Sequence, residues 1–154
     1  MKITYLSGYG NIPEEGRRHL AAYDVRLATD KTGLIQTLPE ADVLVMANGG
    51  LPFRFVNAEA LDAGRKLRMI HLRGVTWDAL DLDAATQRGI PVANVPGGNS
   101  MSVAELALFL IFAIAKRAQL IERTWRARKL GVPQGVELYG KTLCIVGFGR
   151  IGKI

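Results

Sequence analysis

Cysteine and long apolar runs are scarce in this sequence of 154 residues, and each scarcity excludes a class of protein. The single cysteine, Cys144, allows no internal disulfide, and its apolar surroundings predict a small core residue. The longest apolar run covers the ten residues 106–115, whereas a helix that spans a bilayer needs about 20. Ser7 and Gly8 interrupt the first apolar stretch too early for a signal peptide. We therefore expect a cytoplasmic protein with no membrane partner.

Charge is unevenly distributed along the chain. Residues 1–115 contain 11 Lys or Arg and 12 Asp or Glu, a net charge of −1, whereas residues 116–154 contain 9 and 2, a net charge of +7. A basic segment can attract nucleic acid through its phosphates. Trp125 is the only aromatic residue near the arginines of 123–128, and no nucleic-acid motif accompanies them. Because basic clusters of this kind are usually solvated helix faces, we predict no nucleic-acid partner.

Strand-like apolar runs alternate with helix signals over the first 98 residues. The strand candidates are 3–6, 25–27, 43–46, 67–72 and 90–95, and the helix candidates begin at Pro13 or cover 32–38, 57–63 and 82–88. Such alternation predicts a parallel sheet with helices packed on it. We therefore predict an open α/β domain over residues 1–98.

The remainder of the chain predicts helices followed by a glycine turn. Residues 101–129 contain neither Gly nor Pro, which predicts one long helix or two in succession. Within it, the Leu106–Ala115 segment is apolar on all sides, which is typical of a core or interface helix. Residues 140–146 predict a strand that leads into a GxGxxG run at 147–152, with only two residues after it. A GxGxxG run alone is a weak signal for a dinucleotide site, because it works only inside a strand-turn-helix unit.

Three segments taken together are a more specific signal than the GxGxxG run alone. Residues 67–85, 94–105 and 140–152 resemble the substrate loop, interdomain hinge and cofactor-domain opening of the D-isomer-specific 2-hydroxyacid dehydrogenases. The resemblance implies a flavodoxin-like substrate domain at 1–98, linker helices and the start of a Rossmann domain at 99–154, and NAD or NADP as cofactor. It also implies a small 2-oxo or 2-hydroxy acid as substrate and a homodimer formed through the Leu106–Ala115 helix.

The resemblance also assigns roles to individual residues. The loop at Gly74, Val75 and Thr76 would offer backbone N–H groups to the substrate carboxylate, although the family usually has glycine where Thr76 stands. Asn99 would approach the substrate and Ser100 the nicotinamide, with a hinge turn and helix cap as the alternative for both. The pyrophosphate contacts would come from the glycine turn, that is, from Gly147, Gly149, Arg150, Ile151 and Gly152.

We expect this sequence to lack a complete set of catalytic residues. The family's catalytic arginine, glutamate and histidine have no counterpart in the sequence. His19 lies on the first predicted helix and His71 in the strand before the substrate loop, so neither matches the catalytic histidine. No metal-ligand cluster is visible either. We expect the N-terminal part of a dehydrogenase, inactive and weak in cofactor binding as this chain. The alternative is a short non-catalytic module that dimerises or binds a partner.

Overall fold

The computed structural model describes residues 1–47, 49–129, 131 and 133–154. The chain forms two compact units, Met1–Gly98 and Asn99–Ile154. The first unit contains a sheet and four α-helices, and the second contains two α-helices followed by irregular chain.

A five-stranded parallel sheet forms the centre of the first unit. Its strands are β1 (Lys2–Ser7), β2 (Asp24–Ala28), β3 (Val43–Ala47), β4 (Met69–Leu72) and β5 (Val92–Ala93). They lie in the order β2-β1-β3-β4-β5, which is the order of flavodoxin-like sheets. The predicted α/β class with a parallel sheet is therefore confirmed. The chain reverses its direction of strand addition between β1 and β3, and the loops after these two strands meet at the carboxyl ends of the strands, called here the carboxyl edge.

Four short helices connect the strands. They are α1 (Glu14–Leu20), α2 (Lys31–Thr37), α3 (Ala58–Ala63) and α4 (Leu82–Gln87), and a single 3-10 turn, Leu38–Glu40, follows α2. Asp30, Asn57 and Asp81 each accept a hydrogen bond from a backbone N–H in the first turn of α2, α3 and α4, at 2.7, 3.2 and 3.1 Å. These side chains satisfy donors that the helix itself leaves unpaired, and they set the points where the helices begin.

The core lies between the sheet and helices α2, α3 and α4. Ile70 and Leu72 of β4 are fully buried, while Met69 and His71 between them are half-buried, as expected for side chains that alternate across a strand. The same cluster contains residues of the neighbouring strands and of the helices, namely Leu6, Leu44, Met46, Leu34, Leu61 and Ala85. Helix α1 has no buried residue. The cluster therefore contains no residue of α1, although Ile3 and Tyr5 on the other face of β1 are buried as well.

Two loops approach each other closely at the carboxyl edge. A Cβ atom placed on Gly8, which follows β1, would lie 2.1 Å from the carbonyl oxygen of Gly49, which follows β3. A Cβ on Gly49 would in turn overlap the ring of Tyr9, at 2.0 Å from its Cζ atom. Because real Cβ atoms do not approach backbone so closely, this crossing requires glycine at position 8, whereas the largely exposed Tyr9 ring can move away from a Cβ at position 49.

The second unit contains two helices, α5 (Ser100–Ala115) and α6 (Ala118–Arg126). Arg117 between them adopts a left-handed conformation with φ of 54°, which ends the first helix before the second begins. The sequence allowed one long helix or two successive helices over residues 101–129, and the structure forms two.

The segment before the glycine turn differs from its prediction. Residues 140–146 form no strand, and no other segment of the described residues pairs with them. Cys144 is exposed rather than buried, so its assignment to the core is wrong. The reason is physical: a strand exists only through hydrogen bonds to a neighbouring strand, and without one its apolar side chains have no sheet face to cover.

Glu40 gives the first unit a pH-dependent contact. Its carboxylate lies 2.9 Å from Nζ of Lys2 and 3.2 Å from Nζ of Lys66, and the hydrogen bonds to Lys2 and then Lys66 lower its pKa from 4.5 to about 2. A lowered pKa stabilises the fold above pH 4.5, and this contribution disappears as the pH falls through about 2. We expect Glu40→Gln to lower the thermal midpoint at pH 7 and to match the wild type near pH 2. A midpoint difference that persists at pH 2 would contradict this cause.

Candidate functional site

The loop that follows β4 at the carboxyl edge is held from the β5 side. The backbone N–H of Val95 donates to the carbonyl oxygen of Gly74 at 3.0 Å. The side-chain amide of Asn94 donates to the carbonyl oxygen of Val75 at 2.8 Å. On the opposite side, the N–H of Arg73 donates to the carbonyl of Met46 at the end of β3, at 2.9 Å. The loop is thus tied to both neighbouring strands.

Donors remain available in this loop. Among the residues that the structure describes, none accepts a hydrogen bond from the N–H groups of Gly74 and Val75. Both residues are half-buried. Backbone N–H groups can bind an anion where the chain turns. The loop is therefore a candidate site for a carboxylate that needs no charged side chain.

Thr76 fits this loop without backbone strain. Among the described non-glycine residues, positive φ angles occur at Arg54, Arg117 and Arg128 and not at Thr76. Position 76 does not adopt the positive φ that favours glycine, so the threonine that stands where the family usually has glycine causes no backbone strain there. The following residue, Trp77, has 52% of its surface exposed.

Residues 78–81, which follow the loop, are paired with residues 54–56, which follow β3. The N–H of Arg54 donates to the carbonyl of Asp78 at 2.7 Å, and the N–H of Val56 donates to that of Ala79 at 2.8 Å. The guanidinium of Arg54 also lies 3.7 Å from a carboxylate oxygen of Asp81. Arg54 has a φ of 50°, a conformation that costs energy for a residue with a side chain. These contacts hold the chain where it leaves the loop after β4.

The second unit holds the hinge residues predicted from the sequence. Asn99 is the N-cap residue of α5, but its side chain makes no capping hydrogen bond. Asn99 is exposed and Ser100, the first residue of the helix, is half-buried. The alternative role for Asn99, a side-chain helix cap, is therefore not observed, although its backbone carbonyl accepts the first helical bond from Val103 at 3.0 Å.

The glycine turn in the same unit has a shape that only glycine permits. Gly147 has a φ of 97°, and a Cβ on Gly152 would lie 2.3 Å from the Gly147 carbonyl oxygen. A Cβ on Gly149 would meet nothing within 4 Å, so the backbone is open there. The N–H groups of Arg150 and Ile151 find no acceptor among the described residues. Open backbone beside unpaired N–H groups fits the approach of a pyrophosphate.

The two histidines lie outside the loop after β4. His19 is exposed on α1, and His71 is half-buried in β4 opposite Val45 and Ala93. Within residues 1–47, 49–129, 131 and 133–154, no group of His, Cys, Asp and Glu is placed to hold a metal ion. In the same part of the chain, no helix has the length and apolar character needed to cross a bilayer.

Two of the contacts that shape the loop are not visible in the sequence. Asn94 lies 19 residues from Val75, and nothing in the sequence links the two. A signal was nevertheless present, because an asparagine directly after a strand, before Val95 and Pro96, is a residue type that often bonds nearby backbone. Arg54 carries no such signal, since its pairing with residues 78–81 depends on the tertiary fold.

Comparison with known proteins finds one matching sequence-family model and several relatives. A sequence model for "D-isomer specific 2-hydroxyacid dehydrogenase, catalytic domain" matches residues 7–143. A D-3-phosphoglycerate dehydrogenase from Mycobacterium tuberculosis is 39% identical over 130 residues, which are 81% of this chain and 23% of the relative. A hydroxypyruvate reductase from Thermotoga maritima is 38% identical over 129 residues, which are 80% of this chain and 40% of the relative.

This chain also resembles a solved structure of a dehydrogenase. D-lactate dehydrogenase from Aquifex aeolicus, in complex with NAD and lactic acid, matches with a TM-score of 0.80 and 26% identity over 98% of this chain. The match covers 46% of the Aquifex chain. This chain thus spans about half of the solved relative and less than half of the two sequence relatives.

Proposed function

This chain belongs to the family of D-isomer specific 2-hydroxyacid dehydrogenases, and we propose that it supplies the substrate-carboxylate loop and the pyrophosphate turn of an enzyme that interconverts 2-oxo acids and D-2-hydroxy acids with NAD or NADP. The observation that carries the proposal is the loop after β4, where the N–H groups of Gly74 and Val75 have no acceptor among the described residues. The lactic acid and NAD bound by the Aquifex relative support the substrate and cofactor classes.

The loop gives this reaction a defined starting geometry. A 2-oxo acid carries its carboxylate next to the carbon that is reduced, so holding the carboxylate also positions the reacting carbon. The N–H of Val75 would donate to one carboxylate oxygen, and we assign the peptide of Thr76 to the same anion. Hydrogen bonds to a charged acceptor are roughly twice as strong as neutral ones. By the family resemblance, we also assign Asn99 to the substrate, with an amide that makes no capping bond.

The glycine turn would hold the cofactor. Gly147, Gly149 and Gly152 let the backbone pass close to a pyrophosphate, and the N–H groups of Arg150 and Ile151 would donate to its oxygens. We assign Ser100, by the same resemblance, to the nicotinamide side. When bound, NAD or NADP supplies or accepts the hydride. The chain's own contribution is to bind and orient the cofactor's phosphates.

We expect no turnover from these 154 residues by themselves. Reduction of a 2-oxo acid needs a proton donor at the substrate oxygen, and neither His19 on α1 nor His71 within β4 lies in the carboxylate loop. Incubation with NADH and pyruvate, glyoxylate or hydroxypyruvate should leave the nicotinamide absorption band unchanged. The Thermotoga hydroxypyruvate reductase with hydroxypyruvate serves as the positive control. NADH oxidation above the protein-free rate would contradict this expectation, and calorimetry that detects micromolar NADH binding would contradict the expected weak cofactor affinity.

We also propose that helix α5 mediates a homodimer. Along Leu106–Ala115 the apolar side chains are largely exposed, including Phe109 at 63% and Ile114 at 77%. Contiguous apolar patches larger than a few hundred Å² are rare on soluble monomers and mark association sites. Light scattering should give twice the chain mass for the wild type and the chain mass for Phe109→Glu. A monomeric wild type, or a Phe109→Glu variant that stays dimeric, would contradict the proposal.

A cytoplasmic location completes the proposal. Cys144 is exposed and unpaired, and free exposed thiols are typical of a reducing compartment.

A further inference from the structure

The side chain of Tyr9 reaches from one loop of the carboxyl edge to the next. Tyr9 follows β1 in a tight turn, which the N–H of Gly10 closes by donating to the carbonyl of Ser7 at 3.1 Å. The far end of its ring lies against Gly49 after β3, where an added Cβ would overlap both Cζ and the hydroxyl oxygen. The ring therefore occupies the space that a side chain at position 49 would need.

The hydroxyl of Tyr9 is available to a ligand. Tyr9 is 68% exposed, and within the part of the chain that the structure describes its hydroxyl makes no hydrogen bond. A phenol can both donate and accept one. Because the strands lie in the order β1-β3-β4, a side chain that runs from the end of β1 to the end of β3 extends towards β4. Open α/β sheets bind ligands in the crevice where the direction of strand addition reverses, here between β1 and β3.

The dimensions of a small hydroxy acid match this arrangement. The N–H of Arg73 donates to the carbonyl of Met46 at 2.9 Å, which joins the start of the loop after β4 to β3. Neighbouring strands lie about 4.8 Å apart. In D-glycerate, the hydroxyl on C3 lies about 4 Å from the carboxylate carbon, and a hydrogen bond to it spans about 2.8 Å. With the carboxylate held at Val75, a partner for that hydroxyl can therefore lie at the neighbouring loop, where the Tyr9 ring ends.

We propose that Tyr9 is a specificity-determining residue whose hydroxyl forms a hydrogen bond with the C3 hydroxyl of a 3-hydroxy substrate. This inference rests on the proposed function of the loop after β4. D-lactate has a methyl group at C3 and cannot form the bond. Gly49 leaves room for the ring, and its backbone has no positive φ, so alanine at position 49 fits the backbone and displaces the ring.

A comparison of two acids on the 154-residue chain tests this role. D-glycerate and D-lactate are titrated separately into ¹⁵N-labelled wild type, Tyr9→Phe and Gly49→Ala, and the amide shift of Val75 reports each affinity. Tyr9→Phe removes the hydroxyl and keeps the ring. The matched control is Tyr23→Phe, which removes a hydroxyl from a 44% exposed tyrosine at the amino end of β2, the opposite edge of the sheet. Thermal midpoints establish that each variant is folded.

The expected result is a preference that depends on Tyr9. Wild type should bind D-glycerate about fivefold more tightly than D-lactate, within the range for one neutral hydrogen bond. Tyr9→Phe and Gly49→Ala should bring the two affinities within about twofold, and Tyr23→Phe should keep the preference. A wild type without the preference, its persistence in Tyr9→Phe or Gly49→Ala, or its loss in Tyr23→Phe would overturn the role of Tyr9 and leave the carboxylate loop intact. A wild type whose Val75 amide responds to neither acid would overturn the proposed function and this inference together.

Discussion

Replacing Gly8 with alanine should lower the free energy of unfolding by about 3 kcal/mol or more, a large value for a single methyl group. The added Cβ would lie 2.1 Å from the carbonyl oxygen of Gly49, which is a backbone atom and not the end of a flexible side chain. Relief of the overlap requires the loops after β1 and β3 to separate. Urea unfolding followed by circular dichroism measures the change.

The same substitution elsewhere in the chain provides the control. Gly16 lies within α1, and a Cβ there would be 3.4 Å from Cγ2 of Ile12, an ordinary contact. Because alanine favours helix over glycine, Gly16→Ala should raise the free energy of unfolding by roughly 0.5–1 kcal/mol. Two substitutions of identical chemistry are thus expected to have opposite signs. A Gly8→Ala variant with an unchanged urea midpoint would show that the two loops do not cross as described.

Replacing Val75 with proline should weaken D-lactate binding at least about tenfold, because proline has no N–H to donate to the carboxylate. The Val75 N–H has no acceptor among the described residues, so its removal breaks no hydrogen bond within that part of the chain. Calorimetry or NMR titration of the 154-residue chain measures the affinity, and a thermal melt establishes that the variant is folded.

Val75→Ala separates the backbone donor from the side chain. It keeps the N–H and shortens a half-buried side chain, so we expect affinity within about twofold of the wild type, since surface changes away from a specific contact have small effects. A folded Val75→Pro that binds D-lactate as the wild type does would exclude this N–H as a carboxylate donor. A large loss in Val75→Ala would instead assign the recognition to the side chain.

The sheet was predictable because its strands are short apolar runs separated by helix signals. Residues 43–46 and 67–72 show this pattern, and β3 and β4 form there with buried Leu44 and Ile70. Local pattern is sufficient for such elements, since a parallel strand buried against helices needs apolar residues and little else. The outer strand β5, which contains only Val92 and Ala93, is shorter than the predicted 90–95 run because its pairing with β4 extends over two positions.

The same local pattern failed at residues 140–146, where the apolar run predicts a strand and the structure forms none. Val146 is 97% exposed and Cys144 has no core around it. Strand formation depends on a partner that the pattern of one segment does not contain. The prediction of buried Cys144 failed for the same reason.

The candidate site also has one part that the sequence predicts and another that it does not. The loop at Gly74 to Thr76 was predictable by family resemblance, and its position after a strand follows from the sheet. The contact between Asn94 and the Val75 carbonyl was not predictable, because the two residues are 19 positions apart and meet only where β4 and β5 pair. The backbone conformation of Thr76 was also beyond the sequence, since a threonine can adopt several conformations in a loop.

Titration of ¹⁵N-labelled wild-type chain with D-lactate tests whether the loop after β4 binds the carboxylate of a 2-oxo or 2-hydroxy acid. We expect saturable shifts that are largest at the amides of Gly74, Val75 and Thr76, and no such shifts with lactamide. Absence of a response at these amides, or an equal response to lactamide, would contradict it.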